Sequence, residues 1–175
     1  MKLGLVGSEM CIRDSHNRLS KTLDEERGAA REKRYEKGYR TARENLDDLV
    51  DKDSFVEYGQ LAIAAQKSRR ELEELRTETA ADGIITGFGK INSEILDDKK
   101  ALSAIIINDY SVLAGTQGYY HHKKLDRICE TAEKQNLPVV MYTEGGGGRP
   151  GDTDVHVQFA GLQICLLYTS DAADE

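Results

Sequence analysis

Few residues in this chain could do chemistry, and the clearest candidates are backbone rather than side chain. Glu144-Gly-Gly-Gly-Gly-Arg-Pro-Gly-Asp-Thr-Asp154 places four consecutive glycines, 145–148, directly after an apolar run. Such glycines offer amides free to point one way and room for a ligand to approach closely. Chemistry that needs only N–H donors is stabilisation of a developing oxyanion, such as a thioester enolate. A phosphate cradle of the Walker type requires Lys-Ser/Thr after its glycines, and Arg149-Pro150 follows here instead. A plain surface turn is disfavoured by position, because the loop leaves an apolar stretch directly and has a twin at Ala114-Gly-Thr-Gln-Gly118. Other candidates are weaker. Asp152-Thr-Asp154 reads as a solvated acidic turn in preference to a hard-metal site. His121 and His122 point about a hundred degrees apart on a helix and cannot share one metal. With Lys123-Lys124 they form a helix-start cluster that could hold a phosphate, although a plain polar helix end is the simpler reading. No nucleophile–base pair and no metal site is legible.

The elements that must position these loops follow from periodicity. Leu102–Ile107 and Leu137–Tyr142 are apolar, β-branched runs of strand length, and the segment from Gly118 to Asn136 between them has helical spacing. The stretch 102–154 thus reads strand, loop, helix, strand, loop, with both loops at strand carboxyl ends, where open α/β sheets place ligands. Cys129 shares a helical face with Leu125, Ile128 and Ala132 and reads as core. Upstream, His16–Arg40 is dense in charge with a thin apolar stripe, a surface helix or a solvated arm that Gly38 breaks. Thr41-Ala-Arg-Glu44 has capping-box spacing and predicts a short helix at about 41–50. Asp51–Ser54 reads as a turn and Phe55–Tyr58 as a brief strand. Residues 60–79 are ambiguous between loop and helix. Gly83–Asn92 has β-branched and aromatic residues interrupted by glycines, a strand with a bulge or a close approach. Ser93–Lys100 reads as a polar turn.

Met10–Ser15 and Cys165–Ser170 look unrelated as peptides, yet both are read from one nucleotide sequence. The strand ATG TGT ATA AGA GAC AG encodes the first, and its complement in a shifted frame encodes the second. Residues 1–15 and 165–175 therefore resemble translated sequencing-adapter tails, and they are set aside from fold reasoning. The whole chain carries a net charge of −7, of which −3 lies in the trailing tail. A mildly acidic remainder argues against nucleic acid as a partner. No apolar run approaches the roughly 20 residues of a membrane helix. Of three cysteines only Cys129 lies outside the tails, so there is no disulfide framework, and a reducing, cytoplasmic setting is expected.

Several segments together carry a family resemblance. Gly38-Tyr-Arg-Thr-Ala-Arg-Glu-Asn45, followed by Asp47, Leu49 and Asp51, resembles the opening signature of biotin-dependent acyl-CoA carboxyltransferases, the beta subunits of acetyl- and propionyl-CoA carboxylases. Asp53-Ser-Phe-Val-Glu57, the Asp109–Gly118 loop and Leu137-Pro-Val-Val140 running into the glycines and Arg149 keep the family order. Ser68-Arg-Arg70 and Ala81-Asp-Gly-Ile-Ile-Thr-Gly87 look like one branch of it. Asn45 stands where arginine is usual, and Glu71 where that branch often has proline. The resemblance spans nearly all of residues 19–154.

The resemblance implies an α/β fold of the crotonase-like (ClpP/crotonase) type, a superhelix of β-β-α turns. Residues 16–52 would be a helical arm, and 53–164 an incomplete N-terminal carboxyltransferase half. It implies transfer of a carboxyl group from carboxybiotin, borne on a partner carrier domain, to the α-carbon of an acetyl-, propionyl- or longer or branched acyl-CoA. ATP would be used only at a partner biotin carboxylase. Carried over by motif, the amides of Gly146 and Gly147 would hold the enolate oxygen. Gly115, Thr116, Gly118, His121, Lys124, Gly145, Gly148 and Arg149 would line the coenzyme A side. The intact enzyme would be a homo-oligomer, a hexamer built from dimers, in which a C-terminal half supplies a second oxyanion pair across the dimer interface. The piece alone would then be inactive. Alternatives on the same fold are a biotin-dependent acyl-CoA decarboxylase subunit and a non-catalytic coenzyme A-binding or assembly module.

Overall fold

The computed structural model describes residues 5–155. Its centre is the strand β3 (Leu102–Asn108), in which Ser103 to Asn108 are all buried. A strand covered on both faces must read as a continuous apolar run, which is why Ala104-Ile-Ile-Ile107 shows no alternation. Ile106 and Ala104 face one layer, and Ile105 and Ile107 the other. Helix α6 (Tyr119–Gln135) covers the first face with Leu125, Ile128, Cys129 and Ala132. Helix α3 (Ala42–Leu49) covers the second with Ala42 and Leu46. Cys129 is buried, and burial pushes its thiol up to about 11.

The sheet runs in chain order: β1 (Val56–Tyr58), β2 (Ile84–Lys90), β3, β4 (Val139–Tyr142). The first two pairings are antiparallel, and β3 pairs β4 in parallel across the α6 crossover. The two parallel strands therefore end on the same side and release their loops together. Helix α6 stops at Asn136, whose left-handed backbone (φ 51°) closes the helix as a C-terminal cap. The capping box forms as predicted: Thr41 Oγ1 accepts from the Glu44 amide at 3.0 Å, and Glu44 accepts from the Thr41 amide at 2.8 Å.

One expectation is corrected and two open ones are settled. The segment 60–79 resolves into helix α4 (Leu72–Glu78), anchored by buried Leu75 after a loop that buries Ala64 and Ala65. The polar turn at 93–100 ends in one helical turn, α5 (Asp98–Ala101), capped by Asp97. Strand β2 has no bulge, since its pairs with β1 and β3 advance one residue at a time. Its glycines answer a close approach instead: a Cβ on Gly87 would overlap the Val56 carbonyl oxygen and the Phe55 ring.

The charged arm differs most. It is two helices, α1 (Leu5–Ser20) and α2 (Gly28–Glu36), and it is docked rather than solvated. The thin apolar stripe is replaced by polar anchors. Arg27 meets Asp109 at 2.6 Å, Arg34 meets Glu144 at 2.6 Å, and buried Thr22 accepts from Gln60 at 2.7 Å. Helix α1 runs unbroken across the expected boundary at residue 15, with Cys11 to Asp14 exposed. The boundary at 164 and the tail 165–175 lie outside the described residues.

Gly87→Ala is expected to destabilise the fold by about 1–3 kcal/mol, the usual penalty of overpacking against atoms that cannot step aside. Guanidinium unfolding of the variant measures it, and an unchanged midpoint would refute the close-packing account of this glycine.

Candidate functional site

The site is built from the loops that follow β3 and β4. The first, Asp109–Gly118, turns through three successive left-handed residues, Leu113, Ala114 and Gly115. The second, Glu144–Asp154, lies against it. Gln117 donates to Gly147 at 2.8 Å and Arg149 donates back to Gln117 at 2.8 Å, so the parallel pairing of β3 and β4 continues between the loops. Gly146 donates its amide to the Ala114 carbonyl at 3.0 Å.

The glycines divide into two groups. Gly115, Gly118 and Gly145 are where the loops touch. A Cβ on Gly115 would overlap the Glu144 carbonyl, one on Gly145 would come within 2.6 Å of the Gly115 oxygen, and one on Gly118 would overlap Asp152 and Arg149. These three, expected to line the coenzyme A side, lie where the two loops are in close contact. Gly147 and Gly148 have no atom within 4 Å of a Cβ position, and their amides have no partner among the described residues. Of the expected pair, Gly146 has its N–H engaged and Gly147 has its N–H free.

Arg149, His121 and Lys124 were also expected on the substrate side, and the structure buries all three. The Arg149 side chain is 5% exposed. It contacts Asp82 through Nη1, donates from Nη2 to the Thr116 carbonyl at 2.6 Å, and donates from Nε to Thr116 Oγ1 at 3.2 Å. Thr116 is thus held by Arg149 and by its own bond to Leu113 at 2.7 Å. The cause of the other two burials is the turn Ala80–Gly83. Ala81 and Asp82 adopt φ 52°, which directs backbone carbonyls at α6 where no strand or helix can satisfy them. Lys124 Nζ donates to the carbonyls of Ala81, at 2.9 Å, and Ile84, and His121 Nδ1 bonds the Asp82 carbonyl at 3.2 Å. Burial lowers Lys124 to about 8 and His121 to about 3, so the imidazole is neutral near neutral pH.

The amino end of α6, where a phosphate was a candidate, is already occupied by carboxylates. Asp152 accepts from the Tyr119 amide at 2.8 Å and Asp82 from the His121 amide at 2.7 Å. Arg149 lies between them, 3.6 Å from Asp152. The acidic turn is therefore structural, and Asp154 likewise accepts from the amides of Lys67 and Ser68 at 2.6 and 2.8 Å.

Sequence reasoning did not single out Asp82, Arg27 or Arg34. The left-handed turn at Ala81-Asp-Gly83 entered only as part of a family-branch motif, with no role given to Asp82. Arg27 and Arg34, seven residues apart, were legible only as members of a charged face.

Because His121 is about 3 in the fold against 6.5 when free, its contribution to stability is complete above about 6.5 and is lost as pH falls toward 3. At about 1.4 kcal/mol per unit, acidification from about pH 6.5 to 5 should remove about 2 kcal/mol through this residue alone. His121→Asn should lose that much less than wild type between the two conditions in urea unfolding. Equal losses would show that His121 does not titrate this way.

With the geometry in place, comparison with known proteins identifies the family. Residues 33–162 match the carboxyl transferase domain. The chain is 32% identical over 139 residues to the biotin-dependent acetyl-/propionyl-coenzyme A carboxylase beta5 subunit of Mycobacterium leprae (strain TN), covering 79% of this chain and 23% of that protein. A single-chain, multi-domain long-chain acyl-CoA carboxylase superposes with TM-score 0.80 and 49% identity over 87% of this chain and 15% of its own. The transcarboxylase 12S hexamer shares the fold, with TM-score 0.64 at 23% identity, over 87% of this chain and 27% of its own. The chain spans about a quarter of the length of the curated relatives it matches. It carries the crotonase-like α/β fold and belongs to the carboxyl transferase domain family.

Proposed function

We propose that this stretch forms the loop-bearing part of a carboxyltransferase in a biotin-dependent acyl-CoA carboxylase, acting on the α-carbon of an acyl-CoA. The observation that carries the reading is the pair of amides at Gly147 and Gly148, which have no partner among the described residues. They sit in open space at the carboxyl ends of two parallel strands. Removing a proton next to a thioester carbonyl puts negative charge on its oxygen, and N–H donors fixed in advance lower that barrier without rearranging. Gly147 is the donor, Gly148 keeps the approach open, and Gly146 holds the turn through Ala114. Carboxybiotin, delivered by a partner carrier domain, supplies the carboxyl group. Arg149, Lys124, His121 and Thr116 act behind the loops, holding their shape rather than touching the acyl-CoA.

The remaining assignments belong to the complete protein. They are a biotin carboxylase and carrier partner, with ATP used there, a homo-oligomer of the hexameric kind named for the transcarboxylase relative, and a cytoplasmic location. No helix among the described residues is long and apolar enough to cross a membrane.

The test is steady-state kinetics of the complete carboxylase with Gly147→Ala and Gly148→Ala. Gly147 has φ 90°, so alanine there strains the loop, whereas Gly148 accepts a methyl without contact or strain. Turnover is expected to fall about a hundredfold in Gly147→Ala, with KM for acyl-CoA within a few-fold. Gly148→Ala should lower turnover while leaving the melting temperature in place. A role confined to binding coenzyme A would raise KM at unchanged turnover. Wild-type turnover in both variants would rule out the oxyanion assignment.

A further inference from the structure

The arm touches both glycine loops, and it does so by the same device each time. An acidic residue follows each parallel strand: Asp109 directly after β3, and Glu144 two residues after β4. Each is met by an arginine from the arm, Arg27 from the amino cap of α2 and Arg34 from its last turn. Seven residues is two helical turns, so both guanidinium groups leave the same side of α2. Arg27 reaches Asp109 at 2.6 Å and Ser111 at 2.9 Å. Arg34 grips Glu144 with both arms of its fork, at 2.6 and 2.8 Å, and both arginine side chains are only 11% exposed.

Arg34 is itself held on the arm. It donates to the Arg40 carbonyl at 3.0 and 2.8 Å and lies 5.1 Å from the Tyr39 ring. Glu144 immediately precedes the glycine run, and its own carbonyl is the atom packed against Gly115. The ion pair therefore sets where the second loop begins relative to the first, three residues before Gly147. The four glycines have no side chains with which to hold that position. Glu144 remains 37% exposed, and the pair forms the wall of the cleft between α2 and the loops, a cleft of about 910 Å³.

We infer that the arm is part of the site, and that Arg34, acting through Glu144, is a positioning residue for the amides of Gly147 and Gly148. Arg27 does the same for the first loop through Asp109. This rests on the oxyanion reading above, and its tests separate the two. Bidentate pairing fixes an angle as well as a distance, and a displacement of about 1 Å at a reacting centre can cost about a hundredfold in rate.

Two measurements decide it. In the 175-residue chain, amide hydrogen exchange in Arg34→Gln should quicken about tenfold at Gly146 and Gln117, whose bonds join the loops, and stay unchanged at Ile85 and Ile105 in the sheet. In the complete carboxylase, Arg34→Gln and Glu144→Gln should each lower turnover by about ten- to a hundredfold with KM for acyl-CoA within a few-fold. The double variant should be no slower than the slower single, because both remove one interaction. Glu144→Gln, at a half-exposed position, keeps the test open where Arg34→Gln does not fold. Unchanged exchange at Gly146 and Gln117, or additive effects on turnover, would overturn the positioning role. Absence of carboxyl transfer in the wild-type carboxylase would instead overturn the functional reading beneath it.

Discussion

The contact between Arg149 and Asp82 is the interaction on which the loop region depends. A guanidinium in the interior loses its hydration, and the loss is offset only where every donor finds a partner. Here Asp82, Thr116 and the more distant Asp152 surround it. The partners come from three separate places: a turn before β2, the loop after β3, and the loop after β4. One side chain thus closes the first loop against the second and both against the sheet. Asp82 is fixed in turn by the His121 amide, which ties the ion pair to the start of α6. Removing either partner would strand a buried charge, which typically costs about 3–5 kcal/mol.

That arrangement explains how the glycines are distributed. Two strand exits held this close leave no room for side chains where they cross, so Gly115, Gly118 and Gly145 are required by contact. Beyond the crossing, among the described residues, Gly147 and Gly148 face open space and retain amides without partners. A flexible tetraglycine run would be a poor catalyst, since donors must be aimed before charge develops. The loop is made stiff from outside itself, by the Arg149 anchor at its far end, the Gln117 ladder at its middle and the Glu144 pair at its start.

The polar core beneath the loops follows the same logic. The left-handed turn at Ala81 and Asp82 leaves carbonyls that need donors, and α6 presents His121 and Lys124 one turn apart to supply them. Both groups lose basicity in doing so. Such depressed values often mark chemistry. In this protein their partners are backbone carbonyls, and the groups do not reach the open side of the loops.

Local physics was legible in the chain before any fold was known. The isoleucine run of β3 read as a strand from its length and β-branching. Thr41 and Glu44 closed their capping box within four residues, and the spacing of Leu125, Ile128, Cys129 and Ala132 put one face of α6 into the core. The glycine run announced backbone chemistry, because glycine has nothing else to offer, and the order of the motifs carried the family. Tertiary structure decided what those motifs touch. Asp82 and Arg149 are 67 residues apart, Arg34 and Glu144 are 110 apart, and no local pattern encodes either meeting. The same holds for His121, Lys124 and Arg149. Their charge suggested a ligand, but a cation's partner is set by whichever unsatisfied oxygen the fold brings near, and here the fold brings its own.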